Sequence, residues 1–106
     1  LGDIGKHFPD SDNRYKDASS MGLLAEVVKL LQLADYQVNN VDVTVVAQAP
    51  KLADYIPAMR LNLAEVLGTS VDDISIKATT TEGLGFAGTG AGIASYAVCT
   101  IIRERA

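Results

Sequence analysis

The stretch that decides the fold runs from Ile74 to Gly83 and reads ISIKATTTEG. Ile74, Ile76 and Ala78 alternate with polar residues, the pattern of a half-buried strand, and the strand chemistry ends in three threonines, Glu82 and a glycine. Threonine hydroxyls and main-chain N–H groups at a strand end can donate hydrogen bonds to phosphate, whereas a carboxylate beside them needs a hard cation. The segment suggests a diphosphate with magnesium or manganese. The alternative is that threonine simply favours strands.

Length and composition indicate one acidic globular domain over residues 1–106. The chain is 48% hydrophobic, enough for a single core, and charged residues interrupt every apolar run well short of the ~20 residues of a membrane span. The net charge of −4 argues against nucleic acid as a partner, because binding to the phosphate backbone needs a concentrated basic surface. With one cysteine and no visible signal peptide, the cytoplasm is the expected location.

Two helices are predicted from apolar residues spaced three and four apart. The first covers about residues 20–35 and is capped by Ser19 or Ser20. The second begins at a cap on Asp54 and ends at Gly68, whose missing Cβ suits a left-handed helix end.

Two strands join the one at Ile74. Alternating valines predict a strand over Val41–Ala49, and the β-branched end of the chain predicts another over Gly90–Arg103, with Cys99 as a small buried hydrophobe. The sequence thus predicts an α+β fold with helices packed on one face of a mixed sheet. The other face also needs cover, which predicts an oligomer.

Two more segments offer candidate chemistry. In the glycine- and proline-containing loop from Gly2 to Asp12, the three aspartates could bind a polyol or a metal, or could form ordinary turns, and His7 is interpreted as a loop residue. The small residues of Ala47–Ala53 offer main-chain groups that could read a planar base, and Lys51 could add charge to a phosphate. Taken alone, that segment is only a connection between a strand and a helix.

Three sequence motifs together carry a resemblance to a known family. They are GDIGKHFPDSD from Gly2, VDVTVVAQAPK from Val41 and IKATTTEGLGF from Ile76. In this order they resemble the 2-C-methyl-D-erythritol 2,4-cyclodiphosphate synthases of the non-mevalonate isoprenoid pathway. The resemblance implies a homotrimer with active sites between neighbours, in the bacterial cytoplasm or plastid stroma. It also implies cyclisation of 4-diphosphocytidyl-2-C-methyl-D-erythritol 2-phosphate with loss of CMP, organised by a zinc and a magnesium or manganese ion.

The resemblance implies a role for each matching position. Those of the methylerythritol-binding part are Asp3, Ile4, Gly5, Phe8, Pro9, Asp10, Ser11, Asp12 and Phe86. Those of the nucleotide and diphosphate part are Ala47, Gln48, Ala49, Pro50, Lys51, Leu52, Ala53, Thr79, Thr80, Thr81 and Glu82. Within this set, Thr80 is implied to stabilise the transferring phosphoryl group, and Glu82 to hold the magnesium or manganese ion.

The chain also departs from the family pattern. The family's zinc ligands are expected upstream of Leu1, so we expect this chain to be the C-terminal two-thirds of a synthase subunit. The usual Gly-Arg-Gly-Glu-Gly pattern reads GTGAG from Gly88, with Thr89 and Ala91 replacing both charged residues. We interpret this as a neutral exchange around a central trimer channel. Two alternatives to an active synthase stay open. One is a catalytically silent trimeric module that binds cytidine nucleotides, and the other is a purely structural trimer.

Overall fold

A computed structural model of the chain describes residues 1–15, 19–47, 51–80 and 92–104. It contains three α-helices and three strands within these residues. They are α1 (Ile4–His7), α2 (Ser20–Leu33), β1 (Tyr36–Val46), α3 (Ile56–Leu67), β2 (Ile74–Thr79) and β3 (Ala94–Arg103). Single 3₁₀ turns cover Asn13–Tyr15, Ala53–Tyr55 and Val71–Asp73.

The strands form one mixed sheet in the order β2-β1-β3. β1 runs parallel to β2, with Val41 opposite Ile74 and Val46 opposite Thr79, and antiparallel to β3. A parallel pair needs a crossover connection, and α3 supplies it. α2 and α3 contact each other and pack on the same side of the sheet. The predicted α+β class, with helices on one face of a mixed sheet, is confirmed.

The core lies between α3 and the β1–β2 pair. Ile74 is 1% exposed, Ile76 8% and Ala64 of α3 7%, and half-buried residues of α3 and β1 surround them. Ile74 and Ile76 point to the helices because alternate strand residues share a face. The apolar positions of the predicted strand therefore anchor the crossover helix.

The helix ends follow from local chemistry. Ser19, in extended conformation, accepts a hydrogen bond from the Gly22 amide at 3.0 Å, which confirms a serine cap for α2. Gly68 has φ 71° and ends α3 as predicted. The predicted cap at Asp54 is wrong. A 3₁₀ turn from Ala53 runs directly into α3, so Tyr55 before the helix is already helical and makes no side-chain cap.

β1 begins earlier in the chain than Val41, where the alternation of valines predicts its start. It begins at Tyr36 because β3 pairs with it along its whole length, from Arg103 opposite Tyr36 to Ala94 opposite Val46. The register shifts between Val38 and Asn40, which is a β-bulge. The Thr100 hydroxyl accepts a hydrogen bond from the side-chain amide of Asn39 at 3.0 Å and donates one to the side-chain oxygen of Asn40 at 2.6 Å. These side chains hold the bulge in place.

β3 is the least covered strand of the sheet. Cys99, predicted to be buried, is exposed, because α2 and α3 pack mainly over β1 and β2. On the face away from the helices, Tyr96 is 66% exposed and Val98 72%. That face also carries the exposed ion pair between Lys77 and Asp42.

Among the described residues, no helix is both long enough and apolar enough to cross a membrane.

Arg60 ties α3 to the start of β2. Its Nε donates to the Ile74 carbonyl and its Nη2 to the Val71 carbonyl, both at 2.8 Å and in a half-buried setting. We expect Arg60→Met to lower the free energy of unfolding by about 1.5–3 kcal/mol, because both carbonyls lose a charged donor. Urea denaturation measures the change.

The matched control for Arg60→Met is Lys29→Met. The Lys29 ammonium lies 3.3 Å from Glu26, and its side chain is 67% exposed. Loss of such a surface pair should change the free energy of unfolding by less than ~0.5 kcal/mol. Equal effects of the two variants would contradict the role given to Arg60.

The turn after α1 is held by Asp12 and Arg14. Arg14 donates from its guanidinium to both carboxylate oxygens of Asp12, at 2.8–3.2 Å, and from its backbone N–H at 3.0 Å. These hydrogen bonds favour the charged carboxylate, the guanidinium bonds most, and so lower the pKa of Asp12 from its usual 3.8.

We expect Arg14→Gln to raise the pKa of Asp12 toward its usual value, with a partial shift remaining from the backbone N–H. NMR of the Asp12 carboxyl carbon during an acid titration measures it. Since the folded-state pKa is depressed, the pair stabilises the fold above the unfolded-state pKa, and this contribution disappears as the pH falls through the folded-state pKa. An Asp12 pKa that is identical in both proteins would contradict this assignment.

Candidate functional site

An open cavity of about 380 Å³ lies where the parallel strands β1 and β2 end. In open sheets with parallel strands, ligands bind outside the carboxyl ends of the strands. Residues just after β1, at the start of the 3₁₀ turn and at the end of β2 line the cavity. They are Ala47, Lys51, Leu52, Ala53, Ala78, Thr79 and Thr80.

A backbone hydrogen bond joins the two segments that form the cavity. The Ala47 N–H donates to the Thr79 carbonyl at 3.0 Å, so it continues the parallel ladder one residue beyond β1. The predicted base-reading segment and the predicted diphosphate segment therefore meet, although they lie about thirty residues apart in the chain. Six of the residues predicted for the nucleotide part line this one cavity: Ala47, Lys51, Leu52, Ala53, Thr79 and Thr80.

The lining combines three kinds of chemistry. A small apolar wall is formed by Ala47, Leu52, Ala53 and Ala78. Two threonines add hydroxyls, and that of Thr79 donates to the Thr80 carbonyl at 3.4 Å. The exposed Lys51 is the one charged side chain among the described lining residues. This combination suits a ligand with a flat apolar part and an anionic part. Ala78 was not among the predicted site residues.

The predicted methylerythritol segment lies apart from this cavity. Asp3 precedes α1 without capping it, and Ile4 and Phe8 line a separate cavity of about 150 Å³ against Val27 and Leu30 of α2. Among the described lining residues of the larger cavity, none comes from residues 1–15. As far as the described residues go, the N-terminal part of the predicted methylerythritol site therefore does not reach the nucleotide cavity of its own chain.

The aspartates of this segment have different surroundings. A Cβ on Gly5 would meet the carboxylate of the exposed Asp3 at 3.1 Å, so a larger residue there would need a small shift of that side chain. Asp12 is engaged with Arg14. Asp10 and Ser11 are exposed, and the Pro9 carbonyl accepts from the Asp12 N–H at 3.0 Å in a tight turn. Of the four residues Pro9–Asp12 in this turn, Asp10 and Ser11 are the exposed ones.

Several predicted positions lie outside the described residues. They are Gln48, Ala49, Pro50, Thr81, Glu82 and Phe86, together with Thr89 and Ala91 of the altered glycine-rich pattern. The roles that the resemblance implies for them stay predictions.

The described part of the chain contains no group of three histidine, cysteine, aspartate or glutamate residues placed to hold a metal ion. The single histidine, His7, has its Nε2 atom 2.7 Å from the Leu1 carbonyl. These residues do not build a zinc site by themselves.

Comparison with known proteins gives close relatives that carry one name. The chain is 61% identical over 101 residues to the 2-C-methyl-D-erythritol 2,4-cyclodiphosphate synthase of Desulforamulus reducens, covering 95% of this chain and 64% of that protein. It is 54% identical over 102 residues to the enzyme of the same name from Clostridioides difficile, covering 96% and 63%. The chain thus spans just under two-thirds of the length of these relatives.

Solved structures with the same fold include 2-C-methyl-D-erythritol 2,4-cyclodiphosphate synthases and proteins named IspF or IspDF. The bifunctional IspDF of Campylobacter jejuni matches with a TM-score of 0.88 at 40% identity, over 95% of this chain and 27% of that one. A CDP complex of IspF from Plasmodium falciparum matches with a TM-score of 0.83 at 30% identity, over 98% and 62%.

The model of the YgbB family matches residues 1–102, which is nearly the whole chain. Together with the two relatives that carry the synthase name, this match confirms the resemblance seen in the three sequence motifs, and the chain belongs to the YgbB family.

Proposed function

We propose that this chain is the nucleotide-binding part of a 2-C-methyl-D-erythritol 2,4-cyclodiphosphate synthase. The reaction is the cyclisation of 4-diphosphocytidyl-2-C-methyl-D-erythritol 2-phosphate with release of CMP. The observation that carries the proposal is the cavity in which Lys51 and its neighbours meet Thr79 and Thr80. Family membership and the names of the relatives support it, as does the likeness to a structure determined as a CDP complex.

The proposed roles follow from the chemistry of the lining. Lys51 attracts the diphosphate, and main-chain groups of the segment around it read the edge of the cytosine ring. The Ala47 N–H is already bonded to Thr79, so other groups of the segment must donate to the base. The Thr80 hydroxyl donates to the phosphoryl group as charge develops on it, which is catalysis by positioning and electrostatic stabilisation.

We also propose that the protein acts as a homotrimer with active sites between subunits. Two observations support this. The methylerythritol segment does not line the nucleotide cavity of its own chain within the described residues, so a neighbour would have to supply it. The sheet face away from the helices exposes Tyr96, Val98 and Ile102, which are apolar groups suited to a subunit contact.

The proposal also includes two metal ions, a zinc ion and a magnesium or manganese ion. The described residues do not fit zinc, because no three histidine, cysteine, aspartate or glutamate residues among them are placed to hold a metal ion. Magnesium or manganese at Glu82, when bound, would neutralise charge on the diphosphate. The threonine hydroxyls and Lys51 suit the same phosphates. We propose the bacterial cytoplasm as the location, because the curated relatives are bacterial proteins.

The role of Lys51 is tested by nucleotide binding. Lys51→Ala should weaken CDP binding by at least tenfold, because one charge-assisted contact to phosphate contributes about 1.5–3 kcal/mol. Isothermal titration of the purified protein with CDP measures it. Lys29→Ala, which removes another exposed lysine, on α2, should leave the CDP affinity unchanged. If both variants bind CDP as the parent does, Lys51 does not contact the phosphates.

The role of Thr80 is tested by turnover. Thr80→Val should lower kcat for CMP release by about 10²–10³, the usual loss for one transition-state hydrogen-bond donor, while Thr80→Ser keeps most of the activity. Thr69→Val is the matched control, because the Thr69 hydroxyl is buried with no hydrogen-bond partner among the described residues. Full activity of Thr80→Val would contradict the role.

The catalytically silent cytidine-binding module is the alternative that the same experiments separate. It predicts normal CDP binding, sensitive to Lys51→Ala, without CMP release from the substrate by the parent protein.

A further inference from the structure

A side-chain hydrogen bond of His7 closes a short loop at the start of the described chain. The His7 Nε2 atom lies 2.7 Å from the carbonyl oxygen of Leu1, six residues earlier. A carbonyl oxygen can only accept, so Nε2 carries the proton and donates it. His7 is half-buried, whereas the residues before it are exposed. The closed loop contains Asp3, Ile4 and Gly5.

The enclosed segment includes only one turn of helix. α1 has four residues, and Asp3 before it makes no side-chain cap. The Lys6 N–H donates to the Asp3 carbonyl at 3.1 Å, and the Phe8 N–H donates to the Ile4 carbonyl at 2.9 Å. A helix this short is not stable by itself in water. Contacts outside the turn must therefore fix its position.

Two kinds of contact do so. Ile4 and Phe8 line the cavity of about 150 Å³ against α2, and His7 lines the same cavity. Apolar burial is non-directional, whereas a hydrogen bond fixes the relative direction of its two groups. The His7 bond ties the end of the turn to the residue before Gly2, which has φ 83°, a conformation that glycine adopts without strain. This bond therefore orients the exposed backbone between Leu1 and His7.

We propose that His7 is a positioning residue, whose bond to Leu1 holds Asp3, Ile4 and Gly5 in the orientation that binds the methylerythritol part of the substrate. The inference rests on the proposed function for the identity of that ligand. It goes beyond the roles that the resemblance implies, which pass from Gly5 directly to Phe8. His7 acts through the loop and does not touch the substrate.

The test compares two ligands that differ in the methylerythritol part. They are CDP and the substrate, 4-diphosphocytidyl-2-C-methyl-D-erythritol 2-phosphate, with a chelator present to prevent turnover. His7→Phe keeps a ring against α2 but removes the donor. It should raise the Kd for the substrate about three- to tenfold, the usual loss for one neutral hydrogen bond, and leave the Kd for CDP within twofold. Isothermal titration gives both constants.

Two variants serve as rescue and control. His7→Gln restores an N–H donor at a similar reach and should bring the Kd for the substrate back to within twofold of the parent protein. Gln32→Leu removes an exposed polar side chain of α2 that is not among the described residues lining either cavity, and should change neither constant.

NMR of the ring nitrogens tests the hydrogen bond in the parent protein, whether or not the variants fold. The neutral His7 ring should carry its proton on Nε2. A ring protonated on Nδ1 alone would overturn the inference, because Nε2 could not then donate to Leu1.

The binding outcomes separate this inference from the proposed function. If the parent protein fails to bind CDP, the proposed function fails, and the inference fails with it. If the parent binds CDP and His7→Phe weakens both ligands equally, or neither, the inference alone is overturned. A Kd for the substrate that rises as much in His7→Gln or in Gln32→Leu as in His7→Phe overturns it as well.

Discussion

The parallel pairing of β1 with β2 is the constraint on which the rest of the structure depends. Two parallel strands cannot be joined by a short turn, so the chain must cross the sheet, and it does so through α3. Burial of Ile74 and Ile76 beneath α3 stabilises this arrangement, and Arg60 adds two hydrogen bonds that hold the helix against the start of β2. The strand ends, and with them Ala47 and Thr79, are side by side as a result.

The site follows from that pairing by simple geometry. Because β1 and β2 are parallel, both strands end at the same edge of the sheet. The segment that follows β1 therefore lies beside the segment that follows β2. An acidic chain can still bind an anion there, since Lys51 lies at the edge and the described lining carries no carboxylate. Local charge and exposed hydroxyls, rather than the net charge of −4, decide what this edge can bind.

The sequence predicted the elements with strong local signals and missed those set by tertiary contacts. The Ser19 cap and the end of α3 at Gly68 could be predicted because each rests on one residue's own chemistry. The early start of β1 at Tyr36 could not, because pairing with β3 decides it. Nor could the exposure of Cys99, which depends on how far the helices reach across the sheet. Only the family resemblance placed Ala47 and Thr79 in the same part of the site. Ala78 was missed because an alanine in a strand carries no chemical signal.

The bulge between Val38 and Asn40 has a consequence for how the N-terminal half of β1 tolerates change. Val38 and Val41 both face the helices although three positions separate them, which strict alternation forbids. Asn39 is the extra residue that lets Val38 lie on the same hydrophobic face as the run Val41, Val43 and Val45. Deletion of Asn39 would shorten β1 by one residue and would turn the side chains of Tyr36 and Val38 to the face of the sheet away from the helices. A single insertion or deletion in this half of β1 therefore changes which side chains face the helices, and only a second, compensating change restores them.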